Sequence, residues 1–261
     1  MKVSSWLRGM ALALASSGLV SVSSADSISL NFSENSSNQS FAGGQLIGPL
    51  MTDSATWNNT NGQPNLDAGA LAGLIDDSGA NTGASVAWSS SNVWYNFDGT
   101  SDDEHRMAVG YLDDGDGGAG TSGDGIGVSV TFSSVPYSRY RVYGLLGSDQ
   151  DGGTNYNTLD FTVNGVEVFG AATAAPAYNT ITESMAQTGS FWSLADGTTR
   201  GNYWQIDSTG STLAITAPPR DGANRASLSA VIIEEIVPEP GSLALAACGS
   251  LIAAASFRRR N

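Results

Sequence analysis

Short stretches in which apolar and polar residues alternate recur along most of this chain. Residues 27–32, 84–88 and 126–132 each repeat with a period of two, which is the period of a β-strand with one face buried. Segments rich in Gly, Asn, Asp and Ser separate the stretches, and the chain contains 32 glycines. These residue types form turns because they tolerate positive φ or hydrogen-bond to their own backbone. The pattern predicts many short strands joined by turns, without heptads or a long helical period.

The same pattern continues through the body of the chain and defines a fold class. Asn164-Gly165 stands between alternating apolar residues, which predicts a two-residue type I′ hairpin. We predict an all-β fold for residues 26–236, an antiparallel two-sheet sandwich of the jelly-roll type. The other predicted strands are residues 93–97, 106–112, 140–146, 159–163, 166–169, 203–206, 212–216 and 228–235.

Two segments of the body depart from simple alternation. Residues 68–75 are small and apolar, and we predict a short helix there. Residues 33–67 are polar and rich in Gly and Asn. We predict that they make a long excursion at one end of the sandwich.

Residues 1–25 have the three parts of a secretory signal peptide. Lys2 and Arg8 supply the positive start, residues 10–20 are apolar, and Ser23 and Ala25 are small residues suited to a cleavage site. The apolar stretch is shorter than a bilayer requires. We therefore predict cleavage after Ala25 and export of the chain that begins at Asp26.

Residues 237–261 form a second targeting segment. Pro238, Glu239 and Pro240 come first, and the prolines stop regular structure and stiffen the junction. Residues 241–257 carry no charge, and a helix of this length reaches about 25 Å, the lower limit for crossing a bilayer. Arg258, Arg259 and Arg260 follow, and the positive-inside rule places such a cluster in the cytoplasm. The predicted topology puts the body outside the inner membrane, in agreement with the signal peptide.

This tail resembles the PEP-CTERM sorting signal in its Pro-Glu-Pro motif, uncharged helix and arginine cluster, which occur in that order. In that family an exosortase, a membrane cysteine protease-transpeptidase, recognises the tail, and its genes accompany exopolysaccharide and biofilm-matrix systems. The resemblance implies that Pro238, Glu239 and Pro240 are recognised by an exosortase. It also implies that the apolar helix holds the chain in the inner membrane before processing. A permanent single-helix anchor is the alternative.

Three segments of the body carry a second resemblance, namely residues 140–146, 194–204 and 226–235. They are similar to a domain common among PEP-CTERM proteins and, distantly, to galactose-binding-like jelly rolls. Such segments specify strands and turns. They do not specify a ligand.

The charge of the body excludes nucleic acid as a partner. Residues 26–237 contain 24 of the 25 acidic residues but only six of the 11 basic ones, all of them arginine. A phosphate backbone is repelled by such a field. Divalent cations and neutral sugars fit it better, and an acidic surface that only keeps the protein soluble is the alternative.

Residues 112–125 form an acidic, Gly-rich loop between two predicted strands. Calcium takes six to eight oxygen ligands, which carboxylates and loop carbonyls supply. The loop departs from the known calcium patterns, because Gly118 and Gly125 occupy EF-hand ligand positions and Ser122 an RTX aspartate position. Calcium is thus a candidate cofactor, a solvated loop is the alternative, and residues 148–155 form a second loop of this kind. The candidate ligands are Asp113, Asp114, Asp116 and Asp124.

Residue types for familiar catalytic machinery are scarce. His105 is the only histidine, and Cys248, the only cysteine, falls in the tail, so the body can form neither a disulfide nor a cysteine nucleophile. The sequence contains no Gly-x-Ser-x-Gly elbow, and a zinc site would have to rely on carboxylates. We predict that His105 lies on the surface just before a strand.

The sequence leaves two functions toward sugars open, namely hydrolysis and binding. A pair of carboxylates could hydrolyse glycosides, although the sequence favours no particular pair among the acidic residues. Exposed tryptophans could stack on sugar rings, and burial in the core is the alternative for each of them. The candidates are Trp57, Trp88, Trp94, Trp192 and Trp204.

These observations predict an exported, non-enzymatic protein of the cell envelope or extracellular matrix. Its tail is expected to be sorted by an exosortase, and the body is expected to associate with exopolysaccharide. A carbohydrate-binding module is the alternative function, and a glycan-active hydrolase is the third.

Overall fold

A computed structural model of the chain describes residues 25–32, 41–60, 67–95, 102–113, 127–146, 161–168, 192–196, 201–218 and 226–237. Asp26–Ile236 forms one compact unit. Among the described residues the fold is all-β, as the alternation predicts, and it contains one short α-helix. The helix is α1 (Asp103–Val109), and a 3-10 helix spans Ser54–Thr56. The strands are β1 (Ser27–Asn31), β2 (Leu46–Ile47), β3 (Thr52–Asp53), β4 (Asn58–Asn59), β5 (Ala68–Ala72), β6 (Ser85–Ser89), β7 (Asn92–Tyr95), β8 (Gly110–Asp113), β9 (Val128–Ser133), β10 (Arg139–Leu145), β11 (Thr162–Val163), β12 (Val166–Glu167), β13 (Tyr203–Thr209), β14 (Thr212–Ala217), β15 (Ser227–Leu228) and β16 (Ala230–Glu235).

Two larger sheets hold most of these strands. The first has the order β13-β10-β16-β1-β4, and the second has the order β12-β11-β14-β9-β6-β5. Two smaller sheets have the orders β15-β8-β7 and β2-β3. Neighbouring strands run antiparallel, as predicted, except that β4 runs parallel to β1. The jelly-roll topology stays a prediction.

One hydrophobic cluster is shared by the two larger sheets. The five-stranded sheet contributes residues such as Leu30, Val142 and Trp204, and the six-stranded sheet contributes residues such as Trp88 and Phe132. Ring contacts join the two sheets, since Phe32 meets Trp88 with centroids 6.1 Å apart and Phe161 meets Trp204 at 5.5 Å. Each contributing strand turns alternate residues inward, which is the physical basis of the period of two.

Part of the outer face of the five-stranded sheet is also covered. A second cluster there joins Tyr143 and Ile232 of the sheet to Ile47, Trp57 and Met107 of the covering segments. All five residues of β1 are consequently buried, whereas the alternation predicts a strand that is buried on one face only. The described part of residues 33–67 supplies much of this cover, so it lies against a sheet face and not only at one end of the sandwich.

The predicted helix at residues 68–75 is wrong. Ala68–Ala72 is strand β5, which pairs along its whole length with β6 at the edge of the six-stranded sheet. Gly69 lies opposite Trp88, and a Cβ atom at Gly69 would come within 2.6 Å of the indole ring. Gly73 has a φ of +68°, which favours glycine and ends regular structure. Close packing against the tryptophan outweighs the helical propensity of the alanines in this segment, which Gly69 and Gly73 weaken.

The predicted strand at residues 106–112 is correct only in its second half. Residues 103–109 form α1, and β8 begins at Gly110. Asp103 and Glu104 occupy the first helical turn, where negative charge interacts favourably with the helix dipole. Asp103 also forms an ion pair of 3.0 Å with Arg106, one turn later. His105 therefore lies in a helix, and its side chain is outside the described residues.

The hairpin at Asn164-Gly165 is confirmed. Val163 pairs with Val166 across the turn, and Asn164 and Gly165 have φ values of +50° and +78°. Positive φ at both central residues is the signature of a type I′ turn. The Asn164 side chain further accepts a hydrogen bond of 2.8 Å from the backbone of Ala214, which ties the hairpin to β14.

Within the described part of the chain, no helix is long and apolar enough to cross a membrane. The predicted signal peptide and the predicted tail helix lie outside that part. The chain enters and leaves the compact unit at one end, because β1 and β16 are antiparallel neighbours with Ser27 opposite Glu234. The backbone of Glu235 also donates a hydrogen bond of 2.8 Å to the Asp26 carbonyl.

Candidate functional site

A row of charged side chains crosses three strands on the outer face of the five-stranded sheet. Arg141 of β10 lies opposite Asp207 of β13 on one side and opposite Glu234 of β16 on the other. Its guanidinium donates two hydrogen bonds to the Asp207 carboxylate, of 2.7 Å from Nε and 3.3 Å from Nη2. Hydrogen bonding to Asp207 raises the pKa of Arg141. Both side chains remain accessible, at 38% for Arg141 and 49% for Asp207.

A tyrosine holds the third member of this row. The Tyr143 hydroxyl donates a hydrogen bond of 2.5 Å to Oε2 of Glu234. Burial raises the pKa of Tyr143, and the hydrogen bond to Glu234 adds to the effect. The phenol therefore stays protonated at neutral pH and acts as the donor. The carboxylate of Glu234 is thereby fixed in orientation beside Arg141.

Aromatic rings extend the row toward one end of β13. The rings of Tyr143 and Tyr203 have centroids 6.1 Å apart, and those of Tyr203 and Trp192 are 6.5 Å apart in an edge-to-face arrangement. Tyr203 and Trp192 are both partly exposed, and Gln205 lies between Tyr203 and Asp207 on the same face of β13. We call this set the outer strip. Its members are Arg141, Tyr143, Trp192, Tyr203, Gln205, Asp207 and Glu234.

Trp192 reaches the outer strip because the segment after it adds to the edge of β13. The backbone of Ala195 donates a hydrogen bond of 2.7 Å to the Tyr203 carbonyl, and Tyr203 donates one of 3.3 Å to Ser193. The Asn202 side chain accepts a further hydrogen bond of 2.7 Å from the Ser193 backbone. These bonds fix the backbone next to Trp192, so its ring is held beside Tyr203.

Glu104 anchors the tryptophan from the covering layer. Its Oε1 atom accepts hydrogen bonds from Nε1 of Trp192 and, at 3.3 Å, from the backbone of Gly48. Burial raises the pKa of Glu104, although both hydrogen bonds oppose that shift. This one carboxylate therefore joins α1, the segment before β3 and the segment that carries Trp192.

Replacing Glu104 with glutamine or alanine separates the effect of burying its charge from the effect of its hydrogen bonds. Because the pKa is raised on folding, the folded protein holds the proton more tightly than the unfolded chain, and stability falls as pH rises from the ordinary value through the raised one. Glu104→Gln is neutral and keeps an acceptor, so it should be at least as stable as the parent at pH 7, with a flatter pH profile. Glu104→Ala leaves two donors without their acceptor and should lose about 1 kcal/mol. Urea unfolding from pH 4 to pH 8 measures both, and an equal loss in the two variants would contradict this account.

A shallow groove of about 450 Å³ adjoins the outer strip at Asp207. It lies between β13 and the β11–β12 hairpin and combines apolar residues with charged ones, including Ile206, Arg139 and Val166. Val166 is 58% exposed. The groove is open to solvent at the edge of the two sheets, so the charged end of the outer strip borders a concave surface.

Of the four predicted calcium ligands, only Asp113 lies in the described part of the chain. Asp113 is buried at the end of β8, opposite Ser227 of β15. Asp114, Asp116 and Asp124 lie outside the described residues, as do Pro238, Glu239, Pro240 and the cluster Arg258, Arg259 and Arg260. Within the described ranges no group of three or more His, Cys, Asp or Glu side chains is placed to hold a metal ion. Calcium therefore stays a prediction.

The candidate tryptophans fall into different environments. Trp57, Trp88 and Trp204 are core residues with exposed fractions of 4%, 4% and 0%, which excludes them from stacking on a ligand. The side chain of Trp94 is outside the described residues. Trp192 alone among the described four keeps a partly exposed ring.

The charged members of the outer strip are not among the site residues predicted from the sequence. The signal was present, because Arg141 and Tyr143 alternate with Val142, and Gln205 and Asp207 alternate with Ile206. Alternation identifies them as residues of one face. It does not show that two segments more than sixty positions apart pair in this register.

Comparison of the chain with protein-family models, with curated proteins and with solved structures finds no match.

Proposed function

We propose that this chain is an exported, non-enzymatic protein of the cell envelope or extracellular matrix that an exosortase sorts through its tail. The observation that carries the proposal is the order of features after the last strand. Pro238, Glu239 and Pro240 are followed by an uncharged run at residues 241–257 and then by three arginines. A helix over that run is just long enough to cross a bilayer, and the arginines would hold its far end in the cytoplasm.

The ends of the compact unit suit such a display. Asp26 and Glu235 are hydrogen-bonded neighbours, so the proposed leader and the proposed tail join the unit at the same end. Removal of the leader after Ala25 would leave β1 intact, because the strand begins at Ser27.

The proposed role outside the membrane is association with exopolysaccharide. The acidic body disfavours nucleic acid and other polyanions through charge repulsion. An all-β body is compatible with the jelly-roll type predicted from the sequence, which we retain as part of this proposal. Anchoring through the tail would be transient if an exosortase processes it and permanent if none does.

Intact-mass measurement of the protein from its native envelope tests the proposal. We expect a mature chain that begins at Asp26 and ends between Pro238 and Gly241. A variant with Pro238, Glu239 and Pro240 all replaced by alanine should keep residues 241–261, because the recognised motif is gone while the helix and arginines remain. A parent chain that keeps its full C-terminus would show a simple anchor. Recovery in the cytosol with residues 1–25 attached would overturn export.

A further inference from the structure

We propose that the outer strip is a binding face for a polysaccharide chain without anionic groups. The inference rests on the proposed association with exopolysaccharide and deepens it by naming the face and the class of glycan. Sugar rings combine apolar C–H faces with hydroxyl groups, so they need aromatic surface beside oriented polar groups. The outer strip supplies both on one side of one sheet.

The aromatic part consists of Trp192 and Tyr203. Their rings contact each other edge to face at 6.5 Å, and both remain partly exposed. Trp192 is fixed through its Nε1 atom by Glu104, and Tyr203 packs against Tyr143. Rings that are already fixed lose little conformational entropy when a ligand packs against them.

The polar part consists of Arg141, Asp207 and Glu234. Adjacent strands are about 4.8 Å apart, so the row from Asp207 across Arg141 to Glu234 spans about 10 Å. That spacing is of the same order as the repeat of a pyranose chain. The Arg141 guanidinium donates to the Asp207 carboxylate, and the Tyr143 hydroxyl donates to the Glu234 carboxylate. They are thus oriented in advance as donors and acceptors for hydroxyl groups.

Charge selects the class of glycan. The strip contains one cation, Arg141, which is already paired with Asp207, and Glu234 adds a second carboxylate. The complete chain has a formal net charge of −14. Uronate-rich or sulfated chains would be repelled by this field, whereas neutral and amino-sugar chains would not.

Affinity electrophoresis of the mature protein in gels that contain a neutral β-glucan, chitosan or alginate tests the proposal. We expect retardation by the neutral glucan and none by alginate. Because the whole acidic chain attracts the polycation chitosan, retardation by chitosan supports the outer strip only if the strip variants lose it. Asp207→Ala and Trp192→Ala should each weaken the apparent affinity at least tenfold. Glu167→Ala, which removes an acidic residue from β12 in the other large sheet, is the charge-matched control and should bind like the parent.

The possible outcomes separate this proposal from the one on which it rests. Retardation by alginate alone, or equal retardation of the parent and both strip variants, would overturn the assignment of the outer strip. No retardation by any of the three polymers would overturn it as well. Export and tail processing are measured independently by intact mass, so either proposal can fail alone. Thermal melting of each variant checks that a lost affinity is not lost folding, and Asp207→Ala, an exposed position, is the variant expected to melt like the parent.

Discussion

Replacing Asp103 with alanine is expected to lower the free energy of unfolding by about 3–5 kcal/mol, the usual cost of removing one partner from a buried ionic network. The Asp103 side chain is fully buried. It accepts hydrogen bonds from the backbones of Ala42 and Gly43, of 2.8 and 3.0 Å, and from the Ser54 hydroxyl at 2.6 Å. Arg106 donates a fourth bond, also of 3.0 Å. The alanine variant would leave all four donors without this acceptor.

The consequence should be concentrated in the covering layer of the five-stranded sheet. Asp103 connects α1 to the segment that includes Ala42, Gly43 and Ser54, and its own N–H donates a bond of 2.9 Å to the Gln45 side chain. Alanine keeps the backbone N–H that bonds Gln45, so only the bonds to the carboxylate are lost. Their loss should speed amide hydrogen exchange in residues 42–54 before it affects β9 or β14. The cover would open locally while the shared core of the two sheets remains packed.

Asp67→Ala is the matched control, because it removes the same side chain from an exposed position. Surface substitutions of this kind usually change stability by less than about 0.5 kcal/mol. Urea unfolding of both variants under one set of conditions gives the comparison. A loss of less than about 1 kcal/mol in Asp103→Ala would show that the buried network contributes little to the cover.

Local sequence determines much of the sheet structure, because a side chain's face on a strand depends only on its position in the alternation. Val142 and Ile206 are apolar and face the shared core, while Arg141 and Asp207 are charged and face outward. The type I′ hairpin is equally local, since Asn164 and Gly165 are residue types that tolerate the positive φ that the turn requires. These features could be predicted without knowledge of any distant contact.

The features that could not be predicted depend on contacts between distant segments. Residues 106–109 alternate like a strand, but α1 is fixed by the bonds of Asp103 to residues about fifty to sixty positions earlier. The outer strip depends in the same way on β10 pairing with both β13 and β16. Trp192 shows the limit most clearly, because its partial exposure follows from the addition of residues 193–195 to the edge at Tyr203. The alternation of residues around Trp192 does not show which distant strand this segment joins.

Replacing Gly144 with alanine is expected to cost about 3 kcal/mol, at the upper end of the usual penalty for overpacking a core. Gly144 is the penultimate residue of β10 and lies directly opposite Trp204 of β13. A Cβ atom at this position would overlap Cε2 and Cζ2 of the indole ring. Trp204 is fully buried and packs against Phe161 of the other sheet at 5.5 Å, so the ring has no space into which it can move. Either the ring or the pairing of β10 with β13 must shift.

A double-mutant cycle with Trp204→Phe isolates this contact. The smaller ring makes room for the methyl group, and within the described residues Nε1 of Trp204 has no hydrogen-bond partner that the change would remove. The double variant should therefore be more stable than the sum of the single losses predicts, by about 1–2 kcal/mol, within the range of coupling between residues in contact. Gly79→Ala is the control, since Gly79 has a φ of +81° but open space around it, and it should lose only about 1 kcal/mol through backbone strain. Additive losses in the cycle would mean that Gly144 is required for its backbone and not for the space beneath Trp204.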